Sequence, residues 1–157
     1  MRRKFAYYKD YANASATDMF SAEELAKAHK LTVTNTRSVC YLRQGNAFVP
    51  AELPIQAQFA PVTSTLSGDF DRNGTVDLLL LGNRSDNRLK LGSMDANYGC
   101  LLSGDGKGGF TYVDQPTSGL AVQGDVKSAM TIAIDGQSYV LIGAFNQPLQ
   151  LYKPAKP

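Results

Sequence analysis

The residues best suited to chemistry are those of Gly68 to Asp77, which read GDFDRNGTVD; counted from Asp69, oxygen-bearing side chains stand at positions one, three, five and nine, with glycine at six. A hard divalent cation takes six to eight oxygens at about 2.3–2.6 Å, and alternating Asp and Asn around a sharp glycine turn can wrap one. Asp69, Asp71, Asn73 and Asp77 would supply side-chain oxygens and Thr75 a backbone carbonyl. All are oxygen donors of the kind Ca2+ takes. An EF-hand would place a bidentate Glu at position twelve, where this chain has Leu80 inside the apolar run Leu78 to Leu81. The loop is therefore expected to join strands, with an affinity on the order of 10⁻⁴–10⁻³ M. The alternative is a polar hairpin turn that holds no metal.

Other chemistry is thinly represented. The single histidine, His29, stands among lysines near the end of an expected helix, where a solvated imidazole is the ordinary reading, and no G-x-S-x-G elbow accompanies it. Asp95 and Asp105 could be imagined as paired carboxylates, but Asp105 sits in a glycine-rich hairpin that uses Asp for its turn. The run GDGKGG at 104–109 leads into strand-like Phe110 to Val113 rather than a helix, so it reads as a hairpin and not a phosphate cradle. Asp95, Asn97 and Tyr98 either line a ligand face or hydrogen-bond a loop. Cys40 and Cys100 have neither CxxC spacing nor a nearby histidine, which excludes a zinc site of ordinary pattern and leaves a disulfide or two buried thiols. No catalytic residue is assigned, and the chain is not expected to be an enzyme. Asn13, Asn73 and Asn83 open N-x-[ST] triplets, read as chance matches.

The elements that must hold the acidic loop are strands. Among 157 residues, 43% are apolar and 19% charged, and the 14 glycines, 8 tyrosines and 7 phenylalanines point to an all-β fold with tight turns. The beginning reads differently. Phe5, Tyr8 and Tyr11 recur at helical spacing, and Ser21 to Glu24 form a capping box ahead of a helix from about Ala22 to His29. Residues 1–30 are thus read as a helical lead-in and 31–157 as the β region. Strand-like segments follow at Leu31 to Thr34, Ser38 to Leu42 and Phe48-Val49, and again at Tyr98 to Leu102 and Phe110 to Val113. The two cysteines then occupy equivalent places, 60 residues apart.

A second pair of segments supports a repeat. Val62 to Asn83 aligns with Val126 to Asn146 with a one-residue gap, which sets Thr75 to Asn83 opposite Ser138 to Asn146. The second copy retains only Asp135-Gly136 of the acidic loop, a plain turn. A period of about 60 residues holding four short strands is the size of a propeller blade. A sandwich of irregular hairpins is the rival. The net charge of +2 is scattered apart from Arg2-Arg3-Lys4, which speaks against a nucleic-acid partner, and no apolar run is long enough for a transmembrane segment. The start also lacks the apolar stretch of a secretory signal.

The acidic loop resembles the D-x-D-x-[DN]-G-x-x-D calcium loops of FG-GAP/VCBS repeats in β-propellers. Leu53 to Val62, Leu91 to Phe110 and Ser118 to Lys127 look like the C-terminal propeller of bacterial VCBS proteins that carry an ASPIC/UnbV domain, the cartilage-acidic-protein-like group. KFAYYKDYANASATDMF, from Lys4 to Phe20, is similar to the helical insertion between their blades. The resemblance implies about two four-stranded antiparallel blades and Ca2+ at Asp69, Asp71, Asn73, Thr75 and Asp77. It also implies an extracellular, periplasmic or cell-surface location and a protein or glycan ligand at the propeller loops. Chains of that family are several times longer, so this one is expected to be a C-terminal portion of a longer protein, or to complete a ring by self-association. The parent is either an interaction scaffold or an enzyme for which these blades are a docking module.

Overall fold

A computed structural model of the chain describes residues 5–87, 90 and 92–153, in two compact units, one ending at Thr36 and the other beginning at Arg37. The basic start Arg2-Arg3-Lys4 lies outside the described residues. The first unit holds three short helices, α1 (Tyr8–Asn13), α2 (Ala16–Met19) and α3 (Ala22–Lys27), none with a buried residue. The capping box forms at α3: Glu24 N–H donates to Ser21 Oγ at 3.2 Å and Ser21 N–H to Glu24 Oε2 at 2.8 Å. That helix stops short of His29, since Ala28 turns extended. In the aromatic stripe of the lead-in, the Phe5 and Tyr11 rings meet edge to face at 5.9 Å. Leu31 to Thr34, expected as a strand, joins no sheet, and Leu31 and Val33 are exposed. Alternation alone does not make a strand, because the backbone needs a partner for its N–H and C=O groups.

The second unit is β structure. Strands β1 (Val39–Gln44) and β2 (Ala47–Glu52) form a hairpin, followed by a 3₁₀ turn at Ile55–Gln58. Strands β3 (Val62–Gly68), β4 (Asp77–Gly82), β5 (Cys100–Gly104) and β6 (Phe110–Val113) make an antiparallel meander in chain order. After helix α4 (Gln115–Ser118), strands β7 (Val126–Ile134), β8 (Gln137–Ala144) and β9 (Gln150–Tyr152) make a second meander of three. The described residues thus hold nine strands in three antiparallel sheets. The expectation of two four-stranded sheets is met once; the second sheet has three strands among the described residues, and the strands close no ring.

The two meanders share a strand pattern, but their register differs from the sequence alignment. Both meanders carry a bulge in the first strand, after Val62 and after Val126, and the next pairs are Ser64 with Leu81 and Ser128 with Gly143. Leu81 therefore corresponds to Gly143, one residue away from the position given by alignment. The reason lies in the turn. The acidic loop is replaced by a two-residue Asp135-Gly136 turn with φ of 49° and 74°, the left-handed pair of a tight hairpin.

The two meanders pack face to face. Leu79, Leu81, Val122, Val126, Val140 and Ile142 form one buried cluster, with Leu66 and Leu101 against it. The opposite face of the four-stranded sheet is covered by a second cluster of Leu53, Ala57, Leu80, Cys100 and Leu102, against which Cys40 packs. Each fully buried Leu or Ile contributes about 1.5–3 kcal/mol, so these two layers carry most of the unit's stability. Cys40 and Cys100 are both free thiols. They meet in one cluster rather than occupying equivalent places in successive sheets, and burial pushes the Cys100 thiol up to about 11. Across the sheets, the Thr63 hydroxyl donates to the Val126 carbonyl.

Candidate cation-binding loop

The acidic loop spans the turn from β3 to β4, where Gly68 pairs with Asp77 to close the ladder. Its path needs two left-handed residues, Arg72 at φ 62° and Gly74 at φ 86°. Gly74 takes that conformation without penalty, whereas Arg72 does not. Within this turn one carboxylate oxygen from each of Asp69, Asp71 and Asp77 lies within 4.8 Å of the others. Like charges at that range repel by about 1–3 kcal/mol per pair at the dielectric of a protein surface. A divalent cation would convert that repulsion to attraction.

The three carboxylates have different standing. Asp77 is fully buried and accepts from the backbone N–H groups of Phe70 at 2.8 Å, Asp71 at 3.3 Å and Gly104 at 3.0 Å. It ties the start of the loop to the end of β5. Asp69 and Asp71 are exposed. Asp69 accepts from Gly74 N–H at 3.0 Å, and Asp71 from Asn73 N–H at 3.1 Å and from the Ser103 hydroxyl at 2.9 Å. Of the expected ligands, the structure brings these three together. Asn73 behaves otherwise: its side-chain oxygen accepts from Thr75 N–H at 2.7 Å, and its amide nitrogen donates to Asp71 at 3.0 Å. Thr75 donates through its hydroxyl to the Gly104 carbonyl at 2.7 Å, which locks the loop to the β5 end. Ser103, one turn of the sheet away, is a member of the constellation that no spacing rule in the sequence marked.

As a donor set the loop fits a hard cation: three carboxylates converge, and among the described residues no His or Cys joins their group. Calcium would draw on Asp69 and Asp71 chiefly, with Asp77 as the anchor whose lone pairs are already largely taken.

The remaining candidates have structural work. Asp105 accepts from Lys107 and Gly109 N–H groups at 2.7 and 2.8 Å, bonds that hold its carboxyl below the usual range and shape its own turn. Asn97 is buried and belongs to a cross-brace: it donates from its backbone to Asn83 Oδ1 at 2.9 Å, and Asn83 donates back to the Asn97 carbonyl at 2.7 Å and to the Gly124 carbonyl at 3.2 Å. Tyr98 is exposed, as are Asp95 and His29. Asp125 accepts from the Ser85 hydroxyl and N–H, both at 2.7 Å, and those bonds hold its carboxyl below the ordinary value.

A group with a depressed folded pKa stabilises the fold fully above its unfolded value of about 3.9 and loses that contribution as pH falls through the folded value. Wild type should therefore show a melting temperature that falls below about pH 4, and Asp125→Asn a shallower acid slope in the same melts. Identical slopes would remove Asp125 from the acid response.

Phe70, Asp71, Arg72, Leu101, Ser103 and Tyr152 help to line a cleft of about 610 Å³ beside the loop. Among the described residues no helix is long and apolar enough to cross a membrane. No family profile, curated protein or solved structure matches this chain.

Proposed function

We propose that the second unit is a pair of propeller-type blades, stabilised by one calcium ion at the Asp69–Asp77 turn, that serves as a non-catalytic interaction module. The observation that carries this reading is the convergence of the Asp69, Asp71 and Asp77 carboxylates on a turn between two paired strands. Support for the blades comes from two successive meanders that share a bulge and stack through Leu79, Leu81, Val140 and Ile142. Calcium held with an affinity on the order of 10⁻⁴–10⁻³ M is useful where calcium is millimolar, which fits an extracellular, periplasmic or cell-surface setting. The surface offered to a protein or glycan is the cleft beside the loop, which sets the Phe70 and Tyr152 rings next to Asp71 and Arg72. Aromatic faces with adjacent polar groups are suited to either ligand.

The test is a thermal melt of wild type and Asp71→Ala, each with millimolar calcium and with excess chelator. At a calcium concentration ten times the Kd, native-state binding adds about 1.4 kcal/mol, a rise of roughly 3–6 °C for a unit of this size. Wild type should show that rise and Asp71→Ala should not, while the two melt within about 2 °C of each other in chelator. Equal melting of wild type in both buffers would refute the calcium reading and leave the fold untouched.

A further inference from the structure

The outer face of the three-stranded sheet is the equivalent of a face that the chain itself covers elsewhere. In the four-stranded sheet, Leu66, Leu79 and Leu101 stand side by side across β3, β4 and β5, and all three belong to the core beneath the second meander. The same row in the second copy is Met130, Leu141 and Leu151, paired across β7, β8 and β9. Among the described residues this row is open at both ends: Met130 is 55% and Leu151 49% exposed, Leu141 between them is half-buried, and Leu149 beside them is 70% exposed. A row of three large apolar side chains with further apolar neighbours marks an association surface rather than scattered exposure.

The way the first row is buried says what fits the second. Within the chain, stacking is heterologous: the Leu79/Leu81 face of one meander meets the Val140/Ile142 face of the next, and by register the equivalents of Val140 and Ile142 are Leu78 and Leu80, on the opposite face of the first sheet. One sheet thus uses unlike faces for its two neighbours. The second unit also carries a second exposed apolar face, on its first hairpin. On the β1–β2 hairpin, Tyr41, Arg43, Phe48 and Pro50 share the side opposite Cys40, and Tyr41 and Phe48 are 58% and 67% exposed. Heterologous contacts between unlike end faces build rings or filaments by repetition.

We infer that the Met130–Leu141–Leu151 face binds a second copy of this chain, head to tail, through the outward Tyr41/Phe48 face of its β1–β2 hairpin. This rests on the reading of the sheets as stacked blades and is independent of calcium, since neither face includes a carboxylate of the acidic loop.

Sedimentation velocity across a concentration series, on the full chain, tests it with two variants, Leu151→Asp and Phe48→Asp, each checked by circular dichroism for native strand content. Wild type should form dimers and larger species as concentration rises. Each variant alone should weaken association at least tenfold, as loss of a central apolar anchor does. An equimolar mixture of the two should recover dimers and nothing larger, because one intact tail then meets one intact head. A wild type that stays monomeric at every concentration overturns the proposal. So does a Phe48→Asp variant that still dimerises alone, which would mean that like faces pair. Should Leu151→Asp unfold, the milder Met130→Lys takes its place. Repeating the series in chelator separates the two readings: association that persists while the calcium melting shift is absent would sink the calcium loop and leave this contact standing.

Discussion

Replacing Asp77 by Ala should lower stability by about 3–5 kcal/mol in chelator, and by about 1.4 kcal/mol more in calcium at ten times the Kd, because the mutant loses the cation increment as well. The carboxylate is fully buried and is the acceptor for three backbone N–H groups, those of Phe70, Asp71 and Gly104. Removing it leaves the buried Gly104 N–H and the part-buried Phe70 and Asp71 N–H groups without their acceptor, at about 1–3 kcal/mol for a buried donor and less for the others. For a unit of this size the expected fall in Tm is roughly 10–20 °C. Asp77→Asn should recover part of the loss, since its amide keeps one oxygen acceptor but points an N–H₂ at donors. The contrast with Asp71→Ala is the informative part. A loop whose carboxylates were interchangeable would show the same loss in chelator for both.

Gly82→Ala should be nearly as damaging, for a reason unrelated to charge. A methyl group built on Gly82 falls inside contact distance of the Pro61 carbonyl, which is backbone and cannot swing aside. Pro61 O also accepts from Asn83 N–H at 3.1 Å, so a shift to relieve the clash disturbs the entry to the buried Asn83 brace. Overpacking against backbone costs about 1–3 kcal/mol and more when a hydrogen bond goes with it. Chemical denaturation of this variant should show a midpoint well below wild type with an unchanged slope. Gly136→Ala is the control: no atom lies within contact of its Cβ, and its cost is only the left-handed conformation at φ 74°. It should lose roughly 1 kcal/mol.

The acidic loop and most hairpins were legible because local chemistry specifies them. Alternating Asp and Asn with Gly74 marks a turn, Gly45 and Gly136 mark two others, and Ser21 with Glu24 marks a helix start. What escaped depends on distant partners. Leu31 to Thr34 has the alternation of a strand, but a strand exists only when another pairs with it. The one-residue error in the alignment arose because apolar runs such as Leu78 to Leu81 match equally well when slid, while the shortening of the acidic loop to the Asp135-Gly136 turn sets the true offset. Cys40 and Cys100 looked equivalent by spacing and instead share one cluster. Asn97, expected to line a ligand face or hydrogen-bond a loop, braces a loop; Asn83 and Asp125 carry no such sign, because a buried brace is set by which carbonyl or hydroxyl the fold carries to it. The division of labour among the three loop aspartates was likewise invisible, since spacing cannot tell a buried acceptor from an exposed one.

The central claim is that this turn holds a cation, and calorimetric titration of wild type with calcium tests it most directly. One site per chain with a Kd on the order of 10⁻⁴–10⁻³ M, lost in Asp71→Ala, is the predicted result. No saturable binding up to about 10 mM, at ten times the upper end of that range, would contradict it and reduce Asp69 to Asp77 to a hydrogen-bonded turn.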